Sequence, residues 1–481
     1  MLKVSLQEMN IKLLHYIFSG LLYLPLSGCL HDKYEAPSPA PASGYPADID
    51  AIIMGKCAIP GCHNASSSST SGSLNLTTLE NLMNGSINGS VIIPFRSDLS
   101  SMLYFTNVDS SLGIIQIPTM PVNSPPLSTQ EYITLKNWII KGAPDKNGII
   151  PFSDNPYRKK FYVINEGCDL LSVFDEQSGV VMRYYDIGIN AGIKESPYDM
   201  KVTPDGKYLL IVFDNADIVQ MISTDNDSVI ANISIGDGLH GSWHSITVSG
   251  DSRKAYALDS LNGRIVFIDL LSKTSFTTQS YAGALRGVAL NKTDDTLYVT
   301  EDNGNHLFIL PVNDTSATIV YNLRSLIPEP GTLMIHDVEF TPDYSKFFIT
   351  CANVNQVWAF DASTNNLLDT FHVMDFPQEI AISKSTNYLF VTCGIGNGVE
   401  VLDYNNLTHI TRIPVGESPH GIAVDEAKQC VYVTNRTGHA HHPAICTGVN
   451  GSMSTIRIST LERLVQQAEL SVDPIQIAIK P

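Results

Sequence analysis

The stretch Phe348-Ile349-Thr350-Cys351-Ala352-Asn353-Val354-Asn355-Gln356-Val357-Trp358-Ala359-Phe360-Asp361 recurs without a gap as Phe390-Val391-Thr392-Cys393-Gly394-Ile395-Gly396-Asn397-Gly398-Val399-Glu400-Val401-Leu402-Asp403. Each copy reads as an apolar strand, a tight turn and a second apolar strand, which is the pattern of an antiparallel hairpin. Seven such strand cores begin at Tyr162, Leu210, Tyr256, Tyr298, Phe348, Phe390 and Tyr432, at intervals of roughly 42 to 50 residues, the period of a four-stranded propeller blade. A further short apolar strand precedes each core. It is joined to the core by turn chemistry such as Thr203-Pro204-Asp205-Gly206 or Thr341-Pro342-Asp343-Tyr344.

Closure is legible at the chain ends. Asp473-Pro474-Ile475-Gln476-Ile477-Ala478-Ile479 matches the strand that opens other blades, for example Ser418-Pro419-His420-Gly421-Ile422-Ala423-Val424, whereas the first blade lacks it. The C-terminus is therefore expected to supply the innermost strand of blade one, pairing with Phe161 to Asn165 and leaving no open sheet edge. Val431-Tyr432-Val433-Thr434-Asn435 resembles the signature of the YVTN family of seven-bladed propellers. That likeness covers about two thirds of the chain and implies a fold more than an activity. The fold class expected is thus mainly β: a seven-bladed β-propeller over 158–481, preceded by a small helical domain over 45–150.

In the small domain, Cys57-Ala58-Ile59-Pro60-Gly61-Cys62-His63 places two thiols on one short loop with an imidazole directly after the second. A c-type haem needs that pattern, two thiols for its vinyl groups and an imidazole for its iron. The usual spacing is Cys-x-x-Cys-His; here four residues separate the cysteines, and Pro60-Gly61 suits the longer loop to fold back. The competing reading is a Cys57–Cys62 disulfide with His63 at the surface. Thr77-Thr78-Leu79-Glu80 and Ser128-Thr129-Gln130-Glu131 have capping-box spacing and predict helices ending near Gly85 and Gly142. Between them, Pro118-Thr119-Met120-Pro121 is held extended by its prolines, which suits a loop across a haem face with Met120 as sixth ligand. Met120 as mere core filling is the alternative, and Met102 is the second choice of ligand, in surroundings that read as packed helix or strand.

Taken together, CAIPGCHN (57–64), SGSLNL (71–76), SVIIP (90–94), the MP pair at 120–121 and LSTQEYITLKNWIIKGAPD (127–145) resemble the cytochrome c domain common in Bacteroidetes and planctomycete-type proteins. The resemblance covers about a fifth of the chain. It implies one covalent haem c with His63 and Met120 as axial ligands. The wide cysteine spacing and the single proline after Met120 depart from the family pattern.

Residues 1–28 read as an export signal: Lys3 and Lys12 precede a short, interrupted apolar run. Leu26-Ser27-Gly28-Cys29 resembles a lipobox, implying lipidation of Cys29, with ordinary cleavage as the alternative. The Pro-rich 29–44 is a stiff spacer. The expected location is that of an exported bacterial lipoprotein, facing the periplasm or anchored at the outer membrane or cell surface. With 43% hydrophobic and 16% charged residues the body can bury a core, and a formal charge of -18 argues against nucleic acid as a partner and favours basic ones.

Propeller topology places the first residue of each innermost strand around one channel mouth. The matched positions are Tyr198, His244, Arg286, His336, Gln378, His420 and Ile475. An insertion in blade seven carries His439, His441 and His442 and is expected to hang over the same mouth. The converging imidazoles raise a second metal or a polar ligand there. The plain alternative is that each imidazole hydrogen-bonds a neighbouring blade. Of the remaining cysteines, Cys168 and Cys446 fall in loops of adjacent blades and form a candidate disulfide, whereas Cys351 and Cys393 read as packed thiols. Three function classes follow: an electron-transfer lipoprotein whose partner is a redox protein or a small-molecule electron donor or acceptor, a redox enzyme with substrate at the propeller mouth, and a non-redox binding protein. No catalytic triad, phosphate loop or paired carboxylates stand out.

Overall fold

Alternating apolar residues at a fixed period dictate seven sheets, and the computed structural model shows them. It describes residues 42–190, 192–278, 280–281, 283–326, 331–438, 442–465 and 468–481. The signal segment, Cys29, His439 and His441 lie outside the described residues. Six sheets have four antiparallel strands, each running outward from the strand nearest the axis. All seven predicted strand cores fall in the second strand of a blade.

Pro474–Ile479 pairs antiparallel with Lys160–Asn165, Phe161 opposite Ile479 and Val163 opposite Ile477. Blade one is therefore completed by the last strand of the chain, as the end-to-end match predicts. Its core is continuous with blade seven: Phe161 stacks on Tyr432 at 4.7 Å and on Phe174 at 4.4 Å. Cys168 and Cys446 form a disulfide across the same seam, with Cα atoms 5.8 Å apart. Cys351 and Cys393 are fully buried thiols.

The threonine of the repeated strand core joins the blades. Thr434 Oγ1 accepts the Gly421 N–H on its own blade and donates to the Ile475 carbonyl of blade one. Thr392 does the same between Glu379 and His420, and Thr350 between Asp337 and Gln378. Each such buried bond contributes about 1 kcal/mol net and costs more if one partner is left unpaired. The innermost strands bulge where these threonines act, at Ile335/Val338, Pro377/Ile380 and Pro419/Ile422. A bulge re-aims the side chain it carries. Here that side chain is the ring residue predicted to face the channel mouth. Gly421 follows its ring residue because a Cβ there would lie 2.5 Å from the Ile475 oxygen.

Blade seven departs from the four-strand expectation. Its outer edge is split between Glu462–Arg463 and Ala468–Val472, which pair with opposite halves of Asn450–Arg457. The helical segment docks at that break. Glu469 N donates to the Asn88 carbonyl, Ser90 Oγ to the Val181 carbonyl, and Arg96 pairs with Asp186 at 3.2 Å. Ile93 packs into the core shared by blades one and seven. Residues 43–481 form one compact unit.

Helices Ala47–Lys56, Leu79–Met83, Ser101–Thr106 and Thr129–Ile140 enclose a separate apolar core that includes Ile49, Ile53, Leu82, Leu135 and Ile139. Ser128 and Glu131 form the predicted capping box, and Gly142, at φ +95°, ends that helix. The earlier helix starts one residue later than its sequence spacing implies. Thr78, not Thr77, caps it, its side chain accepting the Asn81 N–H at 3.1 Å.

Candidate functional site

Two sites emerge. The first is the cysteine loop, which leaves the Ala47–Lys56 helix and turns back at Gly61, φ +84° with open space where a Cβ would be. His63 N–H donates to the Cys57 carbonyl at 3.2 Å and so closes the turn. Cys57 and Cys62 are both free thiols. Burial, then the neighbouring Cys62, pushes the Cys57 thiol up to about 11, so it is protonated at neutral pH. His63 is half-buried, and burial lowers its pKa. Its Nδ1 lies 3.3 Å from the Leu74 carbonyl. A carbonyl only accepts, so Nδ1 carries the proton and Nε2 keeps a lone pair, the tautomer a metal-ligating histidine needs.

Met120 is half-buried and lies outside the apolar core, in a loop pinned by its own N–H to the Phe105 carbonyl at 2.6 Å. Around it Ile115, Ile117 and Val122 are exposed, Ile117 to 80%. Met102 is a core residue of the Ser101–Thr106 helix, as its flanking sequence predicts. The cysteine loop therefore offers the donor types a covalent haem takes, two free thiols and an imidazole with its Nε2 lone pair available.

The second site is the channel. Tyr198 stacks on His244 at 4.1 Å, and Arg286 donates to both, to Tyr198 Oη at 2.5 Å and to His244 Nδ1 at 3.2 Å. Because arginine only donates, His244 carries its proton on Nε2, which meets Asp214 Oδ1 at 3.0 Å. His336 Nδ1 bonds Gln378 Oε1 at 3.1 Å, and His420 Nδ1 bonds the Ile475 carbonyl at 3.2 Å. Burial, and then neighbouring arginines, drives His336 down to about 3 and His420 well below the ordinary histidine value. Both are neutral imidazoles that tie one blade to the next. Among the described residues, no group of three or more His, Cys, Asp or Glu side chains is arranged to hold a metal ion.

His442 does not hang over this mouth, a correction to the reading of the insertion. It turns outward to the helical segment, its ring 5.7 Å from Phe105 and 6.2 Å from Tyr104, with Glu469 Oε2 at 2.6 Å. The anchored outer strand, absent from the repeat pattern, draws it there.

Sequence reasoning missed what lies one residue beyond the ring. Asp199, Asp337 and Glu379 follow Tyr198, His336 and Gln378, and with Lys201 and Glu339 they line a channel cavity of about 500 Å³. The same register that located the ring would have found them. Asp199 accepts the N–H groups of Met200 and Ile246, and Asp337 those of Val338 and Ile380, so each aspartate bridges to the next blade. Gln476 Nε2 reaches Asp199 at 3.2 Å and Glu379 at 3.4 Å. Burial inside the channel, and then Asp337, pushes Glu339 up to about 7 and Glu379 to about 8. Burial would lower Lys201, but the surrounding carboxylates, Asp199 first, hold it above the ordinary lysine value.

These shifts have a consequence for stability. Both glutamates hold protons more tightly folded than unfolded, so their contribution is complete below about pH 4.5 and is lost as pH rises through their folded values. Glu379→Gln is expected to melt increasingly above the parent protein as pH rises from about 6 to about 9. Melting curves across that range check it, and parallel pH profiles for the two proteins would refute it.

No protein-family model matches the chain, and no curated protein matches it. Similarity to solved structures extends to 1716 chains, a breadth that speaks to architecture alone. One is hydrazine synthase of Kuenenia stuttgartiensis, 14% identical, with a TM-score of 0.48, covering 61% of this chain and 94% of that chain. At that identity only the shape is shared, and it adds nothing to what the blades already establish.

Proposed function

We propose that this protein is a membrane-anchored c-type cytochrome for electron transfer, with haem held by the N-terminal helical segment and the propeller serving as docking or substrate-binding platform. The donor set of the cysteine loop carries the reading. Cys57 and Cys62 would bond the porphyrin, and His63 Nε2 and Met120 would hold its iron. When bound, the haem iron supplies a one-electron couple.

The chain's own part is to orient and to exclude water. The Leu74 carbonyl fixes the His63 ring, and Ile115, Ile117 and Val122 would cover the porphyrin instead of facing solvent. Lipid on Cys29 would tether the body to a membrane, and the charge of -18 favours a basic redox partner. The test is intact mass and visible spectroscopy of the exported, matured protein. One added haem and sharp reduced bands that survive denaturation are expected; an unmodified mass and a colourless product would reject the cytochrome.

A second reading, a redox enzyme whose substrate occupies the channel, is favoured by the cavity lined with Asp199, Lys201, Glu339 and Glu379. Turnover with an artificial electron acceptor separates the two.

A further inference from the structure

The helical segment and the propeller meet at His442, and the contact continues directly to the loop that carries Met120. Phe105 and Tyr104 form the end of the Ser101–Thr106 helix, and both rings lean on His442. Their carbonyls hold the loop: Tyr104 O accepts the Gln116 N–H at 2.9 Å, and Phe105 O accepts the Met120 N–H at 2.6 Å. The two residues are thus clamped between the propeller and the candidate ligand loop.

His442 is itself firmly placed. Its Nδ1 meets Glu469 Oε2 at 2.6 Å, its N–H donates to Glu469 Oε1 at 3.2 Å, and its carbonyl accepts Asn450 Nδ2 at 3.2 Å. Glu469 belongs to the extra outer strand of blade seven, and four residues beyond His442 the disulfide at Cys446 fastens the insertion to blade one. On the other side, Tyr104 is buried and its hydroxyl donates to the Asp98 carbonyl. A rigid sheet therefore sets the position of a short helix end, and that end sets the loop.

We propose that His442 is a positioning residue through which the propeller places the Met120 loop and so tunes the sixth ligand of the haem. The ligand part rests on the cytochrome reading; the loop part does not. It gives the fusion of the two parts a physical purpose, since any strain at the seam of blades one and seven reaches Met120 through two side chains and one hydrogen bond.

The experiment uses the full matured chain and compares His442→Ala with His442→Phe, reading amide hydrogen exchange over residues 114–122 and the midpoint potential. His442→Ala is expected to speed exchange in that segment on the order of fivefold, the scale of one lost aromatic contact and one partly buried polar contact. Exchange in blades three and four stays as in the parent. The potential falls in the direction produced by Met120→Ala, because a thioether ligand favours the ferrous state. His442→Phe, which keeps a ring edge against Phe105, restores most of both. Unchanged exchange over 114–122 in His442→Ala would overturn the proposal whether or not haem is present. Faster exchange in a protein without haem bands would uphold the coupling and reject the cytochrome reading alone.

Discussion

Replacing Cys57 and Cys62 together by alanine is expected, on the cytochrome reading proposed above, to yield a folded protein that carries no covalent haem. The fold should survive because neither thiol is a fully buried core residue, and the helical core is built from Ile49, Ile53, Leu82, Leu135 and Ile139 instead. Haem attachment should not, because only coordination by His63 and Met120 would remain, which acid releases by protonating the imidazole and denaturant by unfolding the two loops. Each single alanine variant keeps one thioether and is expected to retain part of the haem through denaturation. Intact mass and haem staining of denatured gels read all three proteins. A double variant that stays coloured after denaturation would place the attachment elsewhere in the chain.

The second large effect concerns ring closure. Removing Pro474–Ile479 deletes the innermost strand of blade one and exposes the edge of Phe161–Asn165. Ile475 and Ile477 are buried, each such side chain worth about 1.5–3 kcal/mol. The carbonyl of Ile475 also receives Thr434 and His420, so each would lose that acceptor, Thr434 keeping only its bonds to Gly421. The combined loss is comparable with the whole stability of a typical domain, about 5–15 kcal/mol. A chain ending at Asp473 is expected to aggregate through its open edge. Size-exclusion chromatography reads this directly, and a peptide spanning 473–481 should recover monomer. A truncated chain that remains monomeric with an unchanged melting temperature would show that closure does not depend on this strand.

The repeat made the architecture readable because a propeller is built from local hairpins. Phe348 to Asp361 and Phe390 to Asp403 each contain two adjacent strands and the turn between them, so their pairing needs no information from elsewhere in the chain. The closing strand was readable for a related reason: Pro474 to Ile479 copies a segment whose role the other blades display. The cysteine loop was equally local, and its turn at Gly61 follows from one residue's conformational freedom.

Other features depended on contacts between segments far apart in sequence. Nothing near His442 says that it faces Phe105; the extra strand at Ala468–Val472, the docking of Asn88 on it and that of Ser90 on Val181 of blade one decide that. The neutral state of His336 and His420 comes from burial among other blades and from Arg286 and Arg436, contributed by the fourth and seventh. The carboxylates Asp199, Asp337 and Glu379 are unremarkable along the chain and become a cluster only when the ring closes.

The amino-acid sequence by itself determined the seven blades, their closure by the last strand and the thiol-thiol-imidazole loop, since hairpin pairing and turn chemistry act over a few residues. Tertiary structure alone decided which side chains share the channel, how their protons are held and where the blade-seven insertion points. Electrostatic coupling and burial depend on distance in space, and a ring brings together residues that the chain keeps hundreds of positions apart.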